Sequence, residues 1–68
     1  MDDVTQKRLR NHAAWIAREH RNMEWGDIFD LLDGIEPESR PHFISLVCRQ
    51  LSAANLQFFT RLLHAYDG

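Results

Sequence analysis

Apolar residues in this chain recur every three or four positions from one end to the other, and no stretch alternates strictly for long enough to form a strand. A helix with such a stripe must bury it against another helix, so the spacing predicts an all-α fold. With 68 residues the chain holds one domain, residues 1–68. Short connections make successive helices neighbours, which predicts a compact four-helix domain built from two helical hairpins.

The first helix is expected over about Val4 to Arg21, with Asp2 or Asp3 as its acidic N-terminal neighbour. Leu9, Ala13, Ile16 and His20 line its buried stripe, and Asn22 suits a left-handed stop. A second, shorter helix spans about Trp25 to Asp33. It buries Trp25, Ile28, Phe29 and Leu32, turns Asp27, Asp30 and Asp33 outward, and ends in a Schellman stop at Gly34. The third, about Pro41 to Leu51, is apolar around most of its circumference and belongs in the middle of the fold. Ser52 caps the fourth, with Leu51 and Leu56 as a hydrophobic staple. That helix runs to about Tyr66 and buries Leu56, Phe59, Leu62 or Leu63, and Tyr66.

Small size has an energetic consequence. A chain of this length buries only about 60% of the surface its unfolded form exposes. A helical core this small supplies roughly 3 to 5 kcal/mol unless a cross-link, a metal or a second copy adds to it. Cys48 is the sole cysteine, which excludes an internal disulfide and fits a reducing cytoplasm. No apolar run reaches the roughly 18 residues of a membrane span, and Met1-Asp2-Asp3 lacks the basic start of a leader, so the chain reads as complete, soluble and cytoplasmic.

Four histidines and one cysteine suggest a supply of metal ligands, but His12, His20, His42, Cys48 and His64 form no Cys-x2-Cys or His-x3-His pair. Cys48 and Ser45 lie on the most apolar helix, without a deep cleft to desolvate a nucleophile. The expectation is no catalytic residue, no metal and no cofactor.

Charge is segregated. Residues 1–22 carry Lys7, Arg8, Arg10, Arg18 and Arg21 against three acids, while residues 23–39 carry six acids and no Lys or Arg. The segment from Ala17 to Leu32 resembles the helix-turn-helix core of bacterial DNA-binding domains, with Asn22 in place of the turn glycine and Ile28 as the apolar anchor. The resemblance implies a DNA-binding regulator. The helix that would enter the groove bears Asp27, Asp30 and Asp33 and no base, however, so phosphates would repel it. A fainter reading has that acidic helix mimic nucleic acid.

Trp15 stands about 120° around the first helix from the buried stripe, beside Val4 and Arg8. Either another part of the chain covers it, or it anchors an interface, a frequent role of tryptophan. The function expected is therefore binding to another protein, as a small regulator, inhibitor or adaptor of a bacterium or phage. Arg8, Trp15, Arg18, Asp27, Asp30 and Asp33 are its contact residues. A homodimer that sets basic helix against acidic helix is a further expected partner.

Overall fold

A computed structural model describes residues 3–66 as helices joined by short turns. α1 spans Asp3–Glu19 and continues into a 3-10 turn, His20–Asn22; α2 spans Trp25–Asp33. A second 3-10 turn, Pro37–Ser39, leads into α3, Arg40–Cys48, and α4 spans Ala53–Ala65. The expected all-α four-helix domain is what the chain adopts, with no strand among the described residues. Asp2, the alternative neighbour for the start of the first helix, lies outside the described residues.

Every helix gives the core a set of side chains three or four residues apart. Leu9, Ala13 and Ile16 come from α1, Ile28 and Leu32 from α2, Phe43 and Val47 from α3, and Phe59 and Leu62 from α4. Backbones approach most closely between α1 and α3. Ala13, fully buried in mid-α1, keeps that approach short, because interaxial distance follows the side chains at the contact. In α3, expected in the middle of the fold, Phe43 and Val47 are fully buried and Ile44, Leu46 and Cys48 pack against the core, while the other three helices bury as many or more residues.

Both expected left-handed stops are corrected, since no described residue has positive φ. α1 ends by tightening into the 3-10 turn, where the His20 ring Nδ1 lies 3.1 Å from the Ile16 carbonyl and 3.2 Å from that of Ala17. Asn22 ends this turn without leaving ordinary backbone space. Gly34 stays right-handed at φ −77°, so no Schellman motif forms. Instead Arg40, the first residue of α3, reaches back: its Nε donates to the carbonyls of Leu32 (2.9 Å) and Ile35 (3.0 Å), and an Nη to that of Asp33 (3.3 Å). The carbonyls of Asp33 and Ile35 are thus met by a side chain from the next helix, while that of Leu32 accepts from both Arg40 and the Ile35 amide (3.1 Å).

The start of α4 follows the sequence. The Asn55 amide donates to the Ser52 hydroxyl at 3.4 Å. Leu51 packs against the core, but Leu56 remains 38% exposed. The buried face of α4 centres on Phe59 and Leu62, and Leu56 lies about 60° around from Phe59 on the far side from Leu62. Trp25 is likewise not buried as expected. It is 39% exposed, lying at the first position of α2 with only one flank covered, by Phe29 and Phe58.

Candidate protein-interaction surface

The outer face of α1 is determined by its own stripe. With Leu9, Ala13 and Ile16 turned inward, Val4, Arg8 and Trp15 must point out, and all three are exposed. Trp15 is 40% exposed and stacks on no other ring among the described residues. Trp25 has nearly the same exposure but packs near-perpendicular to Phe58, with centroids 6.4 Å apart, and tilts against Phe29. Partners rather than area distinguish the two tryptophans. Arg18, also on α1, is exposed, with its Nε 3.5 Å from Glu19 Oε1.

Packing divides the acidic residues of α2. Asp27 lies in the first turn, where its charge complements the helix dipole. Asp30 faces α1 across a groove of about 780 Å³. Asp33, one turn further along, accepts a 2.6 Å hydrogen bond from the Tyr66 hydroxyl. Tyr66 in turn lies against Phe29, ring centroids 5.4 Å apart. The three carboxylates, all exposed, thus have different immediate neighbours.

The groove brings Arg8 and Asp30 together. Its α1 wall carries Thr5, Arg8 and His12, its floor Leu9, Leu31 and Ile35, and its far wall Asp30, Glu36 and Glu38. Lys7 joins Arg8 and His12 around a shallower hollow on the outer side of the same helix. Among the described residues none of Lys7, Arg8 and His12 forms an ion pair. Trp15 and Arg18 lie further along α1 and do not line the groove.

Sequence reasoning missed a band of rings between α2 and α4. Phe58 is its hub: it meets Trp25 and His20, and the Arg21 guanidinium lies 4.9 Å from its centroid. Arg21 also donates to Asn55 Oδ1 at 3.1 Å, tying the end of α1 to the start of α4. The Phe58-Phe59 doublet was the available signal, since adjacent helical residues lie about 100° apart and both rings cannot enter one core.

No group of three or more His, Cys, Asp or Glu side chains capable of holding a metal ion converges among the described residues. Burial pushes the Cys48 thiol above its ordinary pKa, which disfavours the thiolate. No helix among the described residues is long and apolar enough to cross a membrane. Comparison with protein-family models, curated proteins and solved structures returns no match. The class defined by the fold is thus an all-α four-helix domain.

Proposed function

We propose that this chain works by binding another protein, as a small regulator, inhibitor or adaptor, rather than by catalysis. One observation carries the reading: Trp15 leaves 40% of its surface in water with no ring packed on it among the described residues, whose other aromatic rings contact one another or enter the core. A tryptophan offers a large apolar area with little side-chain entropy to lose, which suits the centre of an interface. Val4 extends the apolar surface along α1, and Arg8 and Arg18 supply polar contacts at its margin. Asp27 and Asp30 on α2, the helix that would enter a DNA groove, repel phosphates, which favours a protein over a nucleic acid as partner. The lone, half-buried thiol of Cys48 suits a cytoplasmic setting.

Photo-crosslinking provides the test. A photoreactive phenylalanine analogue replacing Trp15 should yield a discrete adduct in cells that make the chain, and the same analogue at exposed Gln57 on α4 should not. Equal adduct patterns from both positions, or none from position 15, would overturn the reading.

A further inference from the structure

We infer that the groove between α1 and the end of α2 is the contact face of a symmetric homodimer, with a second copy of this chain as its occupant. The charges on its two walls carry the inference. One wall presents Arg8 and His12, with Lys7 just outside it; the other presents Asp30, Glu36 and Glu38. Lys7, Arg8 and His12 form no ion pair among the described residues, so their charge is available to a partner.

Symmetry then selects the geometry. In a two-fold dimer every contact occurs twice, residue i on one copy meeting j on the other and j meeting i. A two-fold axis running along the groove sets each basic wall over the acidic wall of the other copy. An axis across the groove in the same plane would instead set like charge over like. The first arrangement aligns the two α1 helices in the same direction and closes the apolar floor of Leu9, Leu31 and Ile35 under both copies. A foreign partner would need this same pair of oppositely charged edges, which the chain already carries. A domain this small gains stability from such an association.

The dimer does not rest on the Trp15 reading, because Trp15 lies outside the groove lining. The test is sedimentation equilibrium of the full chain up to millimolar concentration. The wild type should form a reversible dimer that weakens with added salt. Arg8→Glu should weaken it at least about tenfold, and so should the double variant Glu36→Arg, Glu38→Arg, since each sets like charges together twice. Mixed in equal amounts, the two variants should pair with each other more tightly than either pairs with itself. The glutamate introduced at position 8 of one copy then meets the arginines introduced at positions 36 and 38 of the other, while Arg8 meets the unchanged acidic wall, leaving Asp30 of the double variant as the one carboxylate still opposite that glutamate. Misfolding would not be reversed by mixing. Trp15→Ala should leave the dimer unchanged. A wild type that stays monomeric, single variants that dimerise as the wild type does, or a mixture that fails to pair would each overturn the inference.

Discussion

Tyr66 donates its phenolic hydrogen to Asp33 at 2.6 Å, and that bond holds its pKa above the ordinary value of about 10. Desolvation and the Asp33 charge add to the shift, and Arg40 opposes it. The favoured form is the protonated one. Its contribution to stability is therefore whole below about pH 10 and is lost as pH rises through the higher folded value. Tyr66 is the sole tyrosine, so phenolate absorbance reads it directly. Its midpoint should lie higher in the folded chain than in urea, and Asp33→Asn should lower it; equal folded and unfolded midpoints would remove the bond from the account. His20 illustrates what a pattern of spacings leaves out. The stripe placed it inward, and it is 1% exposed, but its Nε2 has no hydrogen-bond partner among the described residues while Nδ1 serves the end of α1. That Phe58 and Phe59 are the rings against it depends on α4 packing, which spacing within α1 does not encode.

At the scale of elements, what could be read depends on whether the determinant is local. The start of α4 was legible because Ser52 and the amide it accepts from are three residues apart. The ends of α1 and α2 were not. Asn22 and Gly34 carry the usual residue signals for a left-handed stop, yet the carbonyls there are satisfied by the His20 ring and by Arg40 from another helix. A charged donor bonded to three carbonyls makes Arg40 a positioning residue for the α2–α3 junction. Arg40→Ala should cost about 2 kcal/mol in urea unfolding, the range for hydrogen bonds to a charged group. Arg40→Lys, which keeps the charge but loses the planar fork, should recover only part of that loss. A wild-type midpoint for Arg40→Ala would show that water satisfies those carbonyls equally well.

At the scale of the whole molecule, the four helices and nearly all of the core follow from spacing, while the surface follows only in part. Trp15 was marked by its angle to the stripe, a property of α1 alone. The grouping of Arg8 with Asp30, Glu36 and Glu38 required α1 and α2 to pack, and the bond from Tyr66 to Asp33 depended on where α4 ends. On the proposed function, Trp15 belongs to a partner and Phe43 to the fold. Phe43 is fully buried on α3. Its truncation to alanine typically costs about 3 to 5 kcal/mol, the whole margin of so small a domain. Circular dichroism and partner capture on Trp15→Ala, with Phe43→Ala as the reference for core loss, test that division most directly. The account predicts that Trp15→Ala keeps its helix content and unfolds within about 0.5 kcal/mol of the wild type while losing the captured protein, and that Phe43→Ala loses both. A Trp15→Ala chain that unfolds like Phe43→Ala, or that stays folded and captures its partner undiminished, would contradict it.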